Sequence, residues 1–378
     1  MAKKAEDVAF LDYFDDLPDP RMSGKIAYPM PELLLLSLCA MISGCESWLD
    51  IEQYGQHKLN YLRKFLPYEF GAPSDDTLRR FFRALDPDAF QERFIAWASS
   101  LLGSEKTKQI AIDGKSLRGS KKYKERMRHL VSAFSCEGEI LLGHVPTKDK
   151  SNEITVIPEL LSWLDLNGAL VSIDAMGCQY EIGNKIVEKG GDYLFALKEN
   201  QPSLHDDVVE AFKNSAKSIK EENSELLTEK GHGRIEQRQA FLITDTEWLK
   251  ERHENWQSIE SIIKIESSRF VNNATSVEKR FYISSRKMTP NEANEAVRKH
   301  WFTENKNHYV LDVSFSEDAC QISKGNAPEN IATLRRITLN LLKTMKPSRP
   351  RTSYKAMRKI AGWENSFLDA ILMANFMR

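Results

Sequence analysis

Cysteine is scarce and scattered in this chain. Cys39, Cys45, Cys136, Cys178 and Cys320 form no CxxC pair and no Cys/His ligand spacing. An odd, dispersed set supports neither a zinc site nor a disulfide framework, and a reducing, cytoplasmic setting is the expectation. Long apolar runs are also missing. The longest, 33–45, is 13 residues and is interrupted by Ser37, Ser43 and Gly44, too short to span a bilayer and suited to a buried helix. The first residues, Met1-Ala2-Lys3-Lys4-Ala5-Glu6-Asp7, lack the apolar core of a signal peptide. No charge sign dominates: 53 Lys and Arg stand against 54 Asp and Glu, so net charge alone gives no support to a nucleic-acid partner. No nucleophile elbow, P-loop or dinucleotide fingerprint occurs. Gly231-His232-Gly233-Arg234 is too short for a nucleotide loop and reads equally as a plain hairpin turn or one that carries Arg234 to a DNA backbone. There is no internal repeat or low-complexity tract. What remains is a globular chain of 378 residues, 28% of them charged, long enough for two or three domains and a large core.

The charges that are present cluster. Residues 115–128 hold seven basic side chains (Lys115, Arg118, Lys121, Lys122, Lys124, Arg126, Arg128) and one acid, Glu125, and residues 343–359 hold seven basic side chains and no acid. A single such run is most simply a solvated face. Two of them, one just after a candidate catalytic aspartate, point toward phosphate contacts.

Residues 1–103 read as all-helical. Pro29 and Pro31 precede an apolar helix, Ser74 caps another, and Asp86-Pro87 starts a third. From residue 108 the pattern changes to three strands (109–114, 129–135, 139–145), a helix (153–164), a strand (169–174), a helix (179–189) ended by Gly190-Gly191, and a strand (193–197). Short turns between the first three imply antiparallel pairing, and helical crossovers imply parallel pairing. That order is the order of an α/β, ribonuclease H-like mixed sheet, with the first and fourth strands adjacent. Residues 201–288 read as a β-rich insertion. The core resumes at residue 289, where Thr289 caps and Pro290 opens a helix expected to run through Glu304, and a last apolar helix covers 328–342. The expected domains are therefore 1–103, a split core of 104–200 with 289–378, and 201–288.

Three acids fit this scheme. Asp113 is expected to end the first strand and Asp174 the fourth, 61 residues apart, and Glu304 follows 130 residues later, beyond the insertion. Hard oxygen ligands with open positions suit a pair of Mg²⁺ ions about 3.5–4 Å apart, which clamp the attacking and leaving oxygens of a phosphoryl transfer. Either aspartate alone would read as a turn cap; both together favour the metal site. Asp312, Glu317 and Glu236 compete with Glu304 for the third place. Glu304, His308 and Asp312 have i, i+4, i+8 spacing that could share a helix face. His300 and His308 stand near enough in sequence for a phosphate or metal role, though isolated histidines are more often structural.

At these residues the chain resembles the H-repeat-associated insertion-sequence transposases, a DDE branch of the bacterial transposases. The resemblance runs through Asp16-Leu17-Pro18-Asp19-Pro20-Arg21, Pro73-Ser74-Asp75-Asp76-Thr77, Ala111-Ile112-Asp113-Gly114-Lys115, Lys150-Ser151-Asn152-Glu153, Ile173-Asp174-Ala175-Met176-Gly177, Gly190-Gly191-Asp192-Tyr193, Ala196-Leu197-Lys198-Glu199-Asn200 and His232-Gly233-Arg234-Ile235-Glu236. His300-Trp301-Phe302-Thr303-Glu304 resembles the motif that carries the third acid, with His for Arg and Thr for Ile. The resemblance implies Mg²⁺-dependent cleavage at element ends and joining to target DNA, with Mn²⁺ able to substitute. It implies double-stranded DNA as partner, a homodimer in the synaptic complex, and a nucleoid-associated location. Asp113, Asp174 and Glu304 are the expected catalytic metal ligands, and Lys115, Arg118, Lys198 and Arg234 the expected backbone contacts. A decayed DNA-binding remnant, or a structure-selective nuclease on the same fold, are the alternatives.

Overall fold

The capping signals of the first hundred residues do what their chemistry dictates. In the computed structural model, which describes residues 9–102, 107–117, 128–147, 153–215, 224–231, 234–271 and 274–373, they delimit α1 (Ala9–Asp12), α2 (Met30–Ile42), α3 (Trp48–Leu62), α4 (Asp75–Ala84) and α5 (Pro87–Ser100). Ser47 and Asp50 form a reciprocal capping box at α3, and Ser74 and Asp86 cap α4 and α5. Each such cap stabilises its helix by about 1 kcal/mol. Leu33, Leu34, Leu35 and Leu36 are all buried. A helix apolar on every side has to be internal, and α2 is enclosed by α3, α12 (Ala327–Met345) and α13 (Tyr354–Trp363).

The sheet begins with β1 (Gln109–Leu117), β2 (Arg128–Ser135) and β3 (Ile140–Thr147), paired antiparallel. Then α6 (Glu153–Trp163) leads to β4 (Leu170–Ile173), and α7 (Tyr180–Glu188) to β5 (Asp192–Leu197), both strands parallel to β1. Gly190, at φ +75°, turns the chain out of α7. The order β3-β2-β1-β4-β5 with this mixture of directions is the ribonuclease H-like core. After α8 (Pro202–Asn214) come β6 (Ser224–Gly231), β7 (Arg234–Ile243), α9 (Glu247–Arg252), β8 (Ser261–Val271) and β9 (Ala274–Ser284). The last of these strands pairs antiparallel with β5, Phe195 opposite Ile283, so the β-rich segment extends the core sheet to nine strands among the described residues.

Alternating side chains give the sheet two faces. Val171, Ile173, Tyr193 and Phe195 join one core cluster with Leu160 and Ile186 of α6 and α7. Leu170, Leu194, Leu242 and Ile263 join another with Ala293, Ala296 and Val297 of α10 (Pro290–His300). The amide of Gln109 ties α10 to the sheet, donating to the Ala296 carbonyl at 2.8 Å and to Ser172 Oγ at 3.0 Å.

Several expectations are corrected. The first strand continues past Asp113 to Leu117, because it has an antiparallel partner, β2, throughout. The Thr289 capping box and Pro290 open α10 as expected, but that helix stops at His300. Glu304 instead begins a π-helical turn, Glu304–His308, which runs into α11 (Tyr309–Phe315). The wider turn breaks the simple i, i+4, i+8 face. Strand β6 and the two C-terminal helices, α13 and α14 (Asn365–Met373), were not foreseen. Nor is the 343–359 segment a free basic face. Arg358 is buried, bonded to the Met41 and Ser314 carbonyls and paired with Glu46 at 3.1 Å. Lys343 is buried over the Phe134 ring, and burial pushes its ammonium down to about 7.

Candidate active site

The parallel ladder between β1 and β4 ends at the pair Ile112 and Ile173. The next residue on each strand is an aspartate. Ile112 and Ile173 point into the α6–α7 core, so alternation sends Asp113 and Asp174 to the opposite face, the one covered by α10. The Gln109 and Ser172 bonds hold α10 there, and Glu304 follows three residues after its C-cap, Trp301. Asp113, Asp174 and Glu304 consequently line one cavity of about 250 Å³, together with Lys198, Arg280, His300 and Trp301.

Each acid is differently held. Asp174 is extended and exposed, and its Oδ1 accepts from the backbone N–H of Met176 at 3.1 Å and of Gly177 at 3.4 Å. That oxygen thus fixes the carboxylate at the cavity wall. Asp113 accepts the Gly114 N–H at 2.8 Å and its side chain is 28% exposed. Burial, then the charge of Asp174, pushes Asp113 up to about 7, with Glu153 and Glu304 adding to the effect and the Gly114 bond opposing it. Glu304 is exposed at the start of its π turn.

Two more residues stand beside this group: Glu153, which was not identified from the sequence, and His308, which was considered there for a phosphate or metal role. Glu153, the first residue of α6, is buried with its carboxyl pressed on Gly114; a Cβ there would come within 2.6 Å of it. The Lys150-Ser151-Asn152-Glu153 motif was the available signal, but it did not reveal which strand Glu153 would face. His308 brings Nδ1 to 3.5 Å from Asp113 Oδ2, while its Nε2 is buried without a hydrogen-bond partner. Burial, then the cations of Lys115 and Arg336, lowers its pKa to about 3, so the ring is neutral. His300 is half-buried, its desolvation lowers its pKa, and its Nδ1 lies 3.1 Å from Ser172 Oγ.

The competing acids are engaged elsewhere. Lys115 is 7% exposed, bonded to Asp312 and 3.0 Å from Glu317. Glu317 also pairs with Arg336 at 2.9 Å, both fully buried. Burial opposes the Glu317 charge, but Arg336, Lys115 and Arg335 outweigh it and hold the carboxyl well below its usual range. The expectation that Lys115 reaches a DNA backbone is therefore corrected: its ammonium is turned inward to the buried Glu317 and the half-exposed Asp312. Glu236 lies on β7 beside Arg238 and Arg269. Lys198 lines the cavity and is exposed. Arg118 lies outside the described residues; Arg234 opens β7, and its side chain is outside them too.

Residues 104–341 match the family model described as the transposase DDE domain, and residues 11–98 match the one described as DDE_Tnp_1-associated. The chain belongs to the DDE transposase family. It is 37% identical over 369 residues to a putative transposase, YncI, of Escherichia coli O157:H7, covering 96% of this chain and 94% of that one. It is likewise 37% identical to the H repeat-associated putative transposase YhhI of Escherichia coli K12, over 96% of this chain and 97% of that protein. A 70-residue stretch, 18% of this chain, is 37% identical to a K12 protein called inactive transposase YbfQ. A piggyBac transposase synaptic complex with hairpin DNA aligns with a TM-score of 0.46 and 9% identity, over 100% of this chain and 83% of that chain. The strand order, rather than that slight likeness, carries the fold of this DDE-family chain.

Family membership implies a divalent metal. The donor chemistry fits one: hard carboxylate oxygens gather in one cavity, where burial and then the charge of Asp174 raise Asp113. Among the described residues, no three His, Cys, Asp or Glu side chains stand close enough to ligate one ion as they are. No described helix is long and apolar enough to cross a membrane.

Proposed function

We propose that this chain is a DDE transposase, a metal-dependent enzyme that cleaves DNA at insertion-sequence ends and transfers the freed strand to target DNA. The observation that supports this most is the convergence of Asp113 and Asp174, one residue beyond the last parallel rung, with Glu304 in a single cavity. These three acids are the proposed ligands of two Mg²⁺ ions, for which Mn²⁺ can substitute. Such a pair supplies activation of an attacking water or 3′-hydroxyl and stabilisation of the leaving oxygen. The residues of the chain do the positioning. Asp174 is oriented by its turn N–H groups and Asp113 by Gly114. Neutral His308 flanks Asp113 without adding a competing cation. Lys198 and Arg280, on the rim, suit the phosphates that flank the scissile bond. The proposed partner is double-stranded DNA, both element ends and target, with Arg118 and Arg234 as further backbone contacts. Joining two ends in one event calls for a homodimer.

The test is a cleavage and strand-transfer assay on DNA bearing the element's own ends, with Mg²⁺ or Mn²⁺. Wild type and Asp312→Ala should give products, while Asp174→Ala and Glu304→Ala should bind DNA and give none. Retained metal-dependent nicking by Asp174→Ala would overturn the assignment. Cleavage that ignores end sequence and yields no joined product would indicate a nuclease instead.

A further inference from the structure

A second cavity, of about 550 Å³, opens where α3 and α4 meet the segment leading into α12. Its walls carry Arg79, Arg83, Lys324 and Arg335 against two carboxylates, Glu46 and Asp50. Both carboxylates are already engaged. Glu46 pairs with Arg358 at 3.1 Å, and Asp50 Oδ2 accepts the Ser47 N–H at 2.9 Å and the Glu46 N–H at 3.3 Å. Arg79 is engaged too, by Asp75 and Asp76. The side chains of Arg83, Lys324 and Arg335 have no hydrogen-bond or ion-pair partner among the described residues.

Arg335 is the decisive one. The residue is 4% exposed, lines the cavity, and has no bonded anion. The nearby Glu317 is bonded by the next residue, Arg336, and reaches Arg335 only through longer-range attraction. A buried charge without a partner is costly, and a guanidinium fork aimed into a cavity suits a tetrahedral oxyanion. Ala327, at the start of α12, also lines the cavity, and Asn326 provides no side-chain cap there. That places the positive end of a long helix on the same side. The seam is held shut by backbone: Asn326 N–H donates to the Arg83 carbonyl at 3.3 Å, and Gly325, at φ +58°, permits the approach. Arg83 and Lys324 are thereby kept together at the mouth.

We propose that this cavity is a phosphate-binding site, separate from the carboxylate cavity, with Arg335 as its buried anchor and Arg83 and Lys324 at its entrance. The phosphate is either a diester of a DNA backbone or a free phosphate. The two sources are separated by experiment on the full chain. In the first arm, affinity for a short duplex is measured against salt for wild type, Arg335→Gln, Arg83→Gln and Arg80→Gln. Arg80 is exposed on the same helix and outside the cavity, so its variant is the control. A DNA phosphate at the site predicts about tenfold weaker binding and a salt slope reduced by about 1 for the two cavity variants and not for the control. In the second arm, the melting temperature is compared in inorganic phosphate and in chloride at matched ionic strength. A free-phosphate site predicts a rise of a few degrees for wild type that both cavity variants lose. If Arg335→Gln fails to fold, Arg83→Gln and Lys324→Gln decide both arms. Unchanged DNA affinity together with no phosphate-specific stabilisation overturns the proposal. Neither arm reads cleavage, so its failure is distinguishable from failure of the transposase reading.

Discussion

Removing the charge of Asp113 should make the metal-free protein more stable. In the folded chain this carboxyl is driven from 3.8 to about 7 by burial and by the charge of Asp174. An aspartate whose proton is held more tightly folded than unfolded weakens the fold as pH rises through that window, because the native state must release a proton it prefers to keep. At about 1.4 kcal/mol for each tenfold change in proton affinity, the displacement is worth roughly 4 kcal/mol at pH 8. That is an upper bound, since the side chain is 28% exposed and relaxation and water dilute the repulsion. A gain of about 1–2 kcal/mol is expected for Asp113→Asn in EDTA at pH 8, measured by denaturant unfolding with matched m values. The gain should shrink at pH 5, where wild-type Asp113 is protonated. Adding Mg²⁺ should stabilise wild type and leave the variant nearly unmoved. An Asp113→Asn protein less stable than wild type in EDTA at pH 8, or a difference independent of pH, would refute the account of the site as an uncompensated carboxylate cluster.

Three other outcomes follow from the same geometry. Lys115→Met should destabilise the fold by about 1–3 kcal/mol, because it removes the partner of half-exposed Asp312 and one of the two partners of buried Glu317, while leaving the salt dependence of DNA binding unchanged; a lowered salt slope would restore Lys115 to the DNA contacts. Gly114→Ala should cost about 1–3 kcal/mol through contact with the Glu153 carboxyl, and a double-mutant cycle with Glu153→Ala should recover most of that loss. Glu317 is held below its usual range, so it stabilises the fold above about pH 4.5, the value for an ordinary glutamate. That contribution is lost as pH falls further, and Glu317→Gln should flatten the acid limb of the stability profile.

The core order was legible because its signals are local and periodic. Strand runs, Gly190 and the Thr289-Pro290 start are each decided by a few neighbouring residues, and the resulting sequence of strands and helices admits few topologies. The convergence of Asp113 and Asp174 was legible for the same reason: adjacency of the first and fourth strands fixes it. What failed depends on contacts distant in sequence. Lys115 looks like the start of a basic run, yet its partners Asp312, Glu317 and Asp318 lie about two hundred residues away. The same holds for Arg358, whose burial requires the end of α2 and Glu46. Charge runs were thus read as surfaces when several of their members are interior counter-ions. Glu304 falls between the two cases. Its identity came from a motif, but the break after His300 and the π turn came from packing. That break separates the helix that covers the sheet from the segment that presents the acid. A regular helix carried on from α10 would keep every following residue on a fixed 100° spiral. The interruption lets Glu304 enter the cavity while His308, one wide turn later, lies against Asp113. The irregular turn is therefore a part of the site rather than a defect in the helix.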